Sequence, residues 1–140
     1  MKSFLAVLVL VSASLLAPSG AFAQGGPGRP YSRYYNPHTV ETVSGRVLAI
    51  EHVAGRGRFA GIHLTLKTRT GELSVHLGPS WYIDKQALKI VPHDEIEVTG
   101  SRITYHGKVV LVAAEVRRGN ETLMLRDAQG YPLWSRSRRR

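Results

Sequence analysis

The clearest hydrophobic rhythm in the chain lies at Gly61–Gln86, GIHLTLKTRTGELSVHLGPSWYIDKQ. Ile62, Leu64 and Leu66, then Leu73, Val75 and Leu77, fall on one face of two alternating segments. His63, Thr65 and Lys67, then Ser74 and His76, fall on the other. Strands with one buried side read this way. The pattern predicts a hairpin turning at Thr70-Gly71, with Arg69 facing Glu72, Thr65 facing His76, and His63 diagonal to His76. Upstream, Val40–Val53 predicts a strand whose phase slips near Leu48-Ala49, the mark of a bulge, with Gly45 at a bend or a close backbone approach. Downstream, Ile83, Ala87 and Ile90, widened by Leu88 and Val91, predict one short amphipathic helix over Ser80–Val91 with Ser80 as its N-cap. Glu95–Ile103 and Lys108–Val116 predict a fourth and a fifth strand. The fifth is apolar on both faces and is expected to be covered on both. Thr122–Arg126 and Tyr131–Trp134 predict a small final hairpin.

This order of elements predicts an all-β chain with one short helix: a five-stranded OB-fold barrel plus a small C-terminal hairpin extension. Closure hides strand edges, which helps a small domain that has no disulfides. Another small antiparallel barrel or a sandwich is the alternative. The expected divisions are a signal peptide over 1–23, a flexible Gly/Pro/Tyr-rich leader over 24–39, the barrel over 40–117, the hairpin extension over 118–134 and a basic tail over 135–140.

The first segment changes the picture of where the chain works. Met1-Lys2 is a short positive start, Phe4–Leu16 is apolar, and Ala21-Phe22-Ala23 is a small-x-small site. This is the pattern of a secretory signal peptide. We expect cleavage between Ala23 and Gln24 and a periplasmic or secreted product; an uncleaved anchor is the alternative, and Pro18 and Gly20 favour cleavage. The absence of Cys removes disulfides, thiolate metal sites, thiol nucleophiles and lipoprotein anchoring. Net charge is +9, of which Lys2 alone leaves with the signal peptide. The basic excess gathers at Arg56/Arg58, Arg117-Arg118 and the end Arg136, Arg138, Arg139 and Arg140. Such a chain attracts anionic ligands, nucleic acid or acidic proteins, and the basic end suits an anionic membrane surface.

Four groups of side chains are candidates for chemistry. His63 and His76, on one strand face, can share a divalent ion if Glu51, His52 or His106 supplies a further ligand; a solvated strand face is the plainer reading. Trp81 and Tyr82 can stack bases or sugars beside the cations Arg46, Lys67 and Arg102, although Trp81 reads more simply as a plug of the barrel core. Glu95 and Glu97 share a strand face, which is more often solvated than catalytic. No serine has a nucleophile-elbow context and no triad can be assembled, so the chain reads as a non-enzyme that needs no cofactor. The candidate ligand surface is Arg46, His63, Thr65, Lys67, Ser74 and His76, bordered by Tyr82. Expected partners are a small or anionic ligand or an envelope protein, with nucleic acid as the alternative and metal third.

The segments TVSGRV (42–47), DEIEVTG (94–100) and LVAAEV (111–116) resemble the small exported bacterial OB-fold proteins of the BOF type. The blocks HLGPSWYIDKQ and LRDAQGYPLW resemble a subgroup of exported OB-like proteins often described only as DNA-binding or uncharacterised. The resemblance spans roughly 40–134. It implies a five-stranded barrel, a periplasmic, stress-associated setting and no catalytic residues; it implies a ligand only loosely, because the OB fold hosts many functions.

Overall fold

The computed structural model describes residues 34–54 and 61–137. The expected signal peptide, residues 24–33 of the leader, Arg56 and Arg58, and the side chains of the basic end (Arg136, Arg138, Arg139, Arg140) lie outside the described residues. The elements are β1 Val40–Val53, β2 Gly61–Thr68, β3 Gly71–Pro79, α1 Ser80–Ile83, β4 Glu95–Tyr105, β5 Lys108–Arg118, β6 Glu121–Met124 and α2 Trp134–Ser137. No helix among the described residues is long and apolar enough to cross a membrane.

β1 pairs antiparallel with β2 and β4, β2 with β3, and β4 with β5. The ring closes where Ser74, Val75 and His76 of β3 pair in parallel with Val110, Leu111 and Val112 of β5. The five strands therefore run β1-β2-β3-β5-β4 around a barrel, with α1 between β3 and β4. This is the OB arrangement that the pattern predicts. β6 adds to β5 outside the ring.

β1 serves two neighbours because it bends. Its first half, to Arg46, pairs with β4, and from Arg46 onward it pairs with β2. The expected bulge lies between Val47 and Ala49 and turns the following residues over, so that Val47 and then Ile50 face the core. Gly45 sits at the bend. A Cβ there would lie 2.5 Å from the Lys67 carbonyl oxygen and 2.7 Å from Leu66 Cγ, so the strand crossing tolerates no side chain. Gly45→Ala is expected to cost about 2 kcal/mol through overpacking, read as a lowered urea midpoint; an unchanged midpoint would show that β1 and β2 separate there without cost.

The interior is filled by the alternating faces. Leu64, Leu66, Val75, Leu77, Val98, Leu111, Val116, Leu123 and Leu125 are all but fully buried. A second, smaller cluster lies on the outer face of β5, where Val110, Val112 and Ala114 are covered by Tyr35 with Ile103 and Tyr105. That cover is why β5 is apolar on both sides. It also means that the end of the expected flexible leader, 34–39, is anchored to the barrel through Tyr35, while its other residues stay exposed. Tyr35 is buried, the Asn36 amide donates to Ser101 Oγ at 2.9 Å, and Pro37–Thr39 forms a 3-10 turn.

Two expectations need correction. The helix over Ser80–Val91 stops at Ile83, and Ser80 is its first residue with Pro79 at the N-cap. Beyond it, the Lys85 and Gln86 amides donate to the carbonyls of Tyr82 and Ile83, a tighter three-residue repeat that soon gives out. The chain is then drawn along β1: Val47 donates to the Asp94 carbonyl and His93 donates to that of Val47. Leu88 is buried while Ala87 and Val91 are exposed, so the apparent helical stripe is a set of separate contacts. The hairpin turn lies at Arg69-Thr70 rather than Thr70-Gly71, with Thr68 opposite Gly71. Thr68 Oγ1 accepts from the Thr70 amide at 3.2 Å and donates to the Gly71 carbonyl at 2.7 Å, a side-chain turn that fixes the earlier position. The expected C-terminal hairpin is present, with the Asp127 amide donating to the Tyr131 carbonyl and the Leu133 amide to that of Leu125, and it is tied to the barrel. Thr122 and its neighbours pair with β5, one bridge joins Arg126 to Pro132, and Trp134 starts α2.

Candidate functional site

The register set by Arg69-Thr70 places His63 directly opposite His76, Thr65 opposite Ser74 and Lys67 opposite Glu72. His63 is therefore not diagonal to His76, and the two rings stack face to face with centroids 3.7 Å apart and planes 5° from parallel. Glu51 of β1 is the cross-strand neighbour of His63. On the far side Tyr105, at the end of β4, meets His76 edge to face at 5.6 Å. Tyr34 and His106 meet Tyr105 in the same manner at 5.2 Å and 4.2 Å. His106 holds its place in the β4–β5 turn with φ 48°. The result is a row of rings across the outer face of β2, β3 and the β4–β5 corner.

Both stacked imidazoles are held neutral. Burial pushes His76 down to about 4, and the neighbouring His63 and Arg126 act in the same direction. Burial also lowers His63, against an opposing pull from the Glu51 carboxylate. Among the described residues, no group of three or more His, Asp and Glu side chains converges as a metal cluster. Of the further ligands considered, Glu51 is nearest in register. His52 lies apart, lining a 260 Å³ hollow with Ile50, Leu88 and Ile90.

Arg46 and Lys67 belong to a different place. They are cross-strand partners at the β1 bend and line an open cleft of about 860 Å³ together with Ser44, Arg69, Arg117, Glu95 and Glu97. Arg46 is engaged with Glu95 at 3.2 Å and Arg117 only loosely with Glu115 at 3.9 Å. The Lys67 and Arg69 side chains make no hydrogen bond or ion pair among the described residues. Glu95 and Glu97 thus sit among cations. Arg102 is not in this cleft, because it is tied to Glu41 on the other side of β1 through its Nε at 2.7 Å.

The surface expected to be one strip is therefore divided. His63 and His76 lie at one end, Arg46 and Lys67 at the other, and Thr65 with Ser74 between them. Tyr82 does not border it: its hydroxyl donates to the Met124 carbonyl at 3.2 Å and its ring packs 5.5 Å from Trp134. Trp81 is half-buried against the core, with Lys85 Nζ 5.8 Å from its ring. The indole that plugs the barrel wall is Trp134, 6% exposed, which lies against Gly78 so closely that a Cβ there would come within 2.7 Å of it.

Sequence reasoning missed two residues of this region. Tyr105 follows Ile103 by two and so shares its outward face, a signal that lies just past the expected end of the fourth strand. Arg126 gave no signal at all. It is buried, donates to the carbonyls of Leu77 and Ala113 and holds its guanidinium 4.9 Å from the Trp134 ring. It joins β3, β5 and the C-terminal segment.

The model of the MamS/MamX magnetosome protein family matches residues 39–123, from the residue before β1 into β6. The resemblance to exported OB-fold proteins holds at the level of the barrel, and the family that matches is a magnetosome family rather than the BOF type. No curated protein matches the chain. Among solved structures, a chain of the S. pombe Stn1-Ten1 complex is similar at 19% identity, with 76% of this chain and 79% of that chain covered and a TM-score of 0.44. The assignment of the fold rests on the ring of strands itself.

Proposed function

The chain belongs to the MamS/MamX magnetosome protein family, matched across the whole barrel, and for this member we propose an exported, non-enzymatic binding module that takes an anionic ligand, or an acidic segment of an envelope partner, in the cleft beside the β1 bend. The observation that supports this reading is the pair of cations whose side chains have no partner among the described residues, Lys67 and Arg69, in a cleft where they, Arg46 and Arg117 outnumber Glu95 and Glu97. Cations that lack internal partners keep their full attraction for an incoming anion. Walls of low dielectric strengthen it, and salt screens it.

A polyglutamate peptide is a suitable probe. Reversing both charges, Lys67→Glu with Arg69→Glu, is expected to weaken its binding about tenfold at low salt and to flatten the salt dependence. Lys108→Glu, at the far end of β5, is expected to change it little. Affinity for polyglutamate within twofold of the parent in the double variant would remove the cleft from consideration.

Nucleic acid is the second reading, favoured by the row Tyr34, Tyr105 and His76, since rings on an outer face can stack bases. Single-stranded oligonucleotide binding that survives raised salt and falls on Tyr105→Ala would favour it over the cleft.

A further inference from the structure

We infer that His63 and His76 form a surface site for a borderline divalent cation such as zinc, separate from the basic cleft. The two rings stand directly opposite each other on adjacent antiparallel strands and stack at 3.7 Å. Zinc–nitrogen bonds of about 2.0–2.1 Å at the tetrahedral angle set two nitrogens about 3.3 Å apart. Opening the stack by rotation about the ring torsions is therefore enough to turn one nitrogen of each ring toward a shared ion, without moving either strand.

The backbone on both sides is fixed by the barrel, so the pair is pre-organised. Neutral imidazole is the ligating form. Imidazole nitrogen suits zinc, copper and nickel, while magnesium and calcium require oxygen cages. With two protein nitrogens the remaining positions fall to water or to a ligand's own donor atoms. The two nearby charges act oppositely: the Glu51 carboxylate attracts a cation toward His63, and the Arg126 guanidinium repels one from His76. The balance makes this a weak, exchangeable site rather than a structural one.

The experiment is calorimetric titration of the full chain with zinc chloride. One equivalent is expected to bind. His63→Ala or His76→Ala is expected to weaken binding tenfold or more, as loss of a ligand exceeds the about 10–100-fold cost of losing its support. Glu51→Gln is expected to weaken it about threefold, and His52→Ala to leave it unchanged. Zinc-induced shifts of the His63 and His76 ring protons in the parent protein give the same answer even if a variant fails to fold. Undiminished binding in the double alanine variant, or ring-proton shifts confined to other histidines, would overturn the site. Either result leaves the polyglutamate experiment untouched.

Discussion

Trp134→Ala is expected to cost the fold about 4 kcal/mol, the range for losing a buried Trp side chain. The indole is 6% exposed. It packs over Gly78, where no side chain fits, against the Tyr82 ring at 5.5 Å and under the Arg126 guanidinium at 4.9 Å. Removal leaves a cavity that none of these groups can fill: Gly78 has no side chain, Tyr82 is held by its bond to Met124, and Arg126 is held by the Leu77 carbonyl. It also wets a buried cation whose bonds join β3 to β5. For a domain with a total stability of about 5–15 kcal/mol, the loss is severe. Urea unfolding followed by far-ultraviolet circular dichroism measures it. A change below about 1 kcal/mol would mean that the segment beyond β6 is an appendage rather than part of the folding unit.

Acidification from pH 6.5 toward 4, with a chelator present, is expected to weaken the fold through His76, by about 1–2 kcal/mol once solvent screening of a partly exposed ring is allowed for. Its value falls from 6.5 to about 4 on folding, and each unit is worth about 1.4 kcal/mol. The direction follows from which state takes the proton first. Below pH 6.5 the unfolded chain protonates this ring while the folded one resists, because the charge would be buried beside His63 and Arg126. Unfolding is then favoured increasingly until the folded ring also protonates near 4; above 6.5 nothing is lost. His63 adds in the same direction, since burial outweighs Glu51 there. Unfolding free energies at pH 7 and pH 4.5 should converge in His76→Gln. A parent protein as stable at pH 4.5 as at pH 7 would show that the stacked pair opens to water freely.

The alternation of Ile62 to Leu66 and Leu73 to Leu77 was enough to identify the hairpin, and the slip after Val47 was enough to identify the bulge, because a period of two leaves little freedom about which face is buried. The exact pairing was not legible. It depended on Thr68, whose hydroxyl closes the turn one residue early, and that shift is what brings His63 onto His76. The helix was over-read because Leu88 and Ile90 do face inward, but on an extended segment held to β1 by His93 and Asp94. Composition gave the basic character of the chain. It could not tell that Arg102 is spent on Glu41 while Lys67 and Arg69 are not, since that distinction depends on which strands cross. Arg126 was invisible for the same reason: only the folded chain brings the Leu77 and Ala113 carbonyls to it.

The parallel joint between β3 and β5 limits how the molecule can associate with others. With the ring shut, each of β1 to β5 has partners on both sides over part of its length, the two halves of β1 taking one each, β4 to Arg46 and β2 beyond it, and β6, Glu121–Met124, is a short strand paired to β5 alone. A backbone edge so short is a poor template for recruiting further strands. Strand addition at β6 is therefore disfavoured. What the described surface offers is chiefly side chains: cations at the cleft, rings at the β4–β5 corner and stacked imidazoles at the histidine pair.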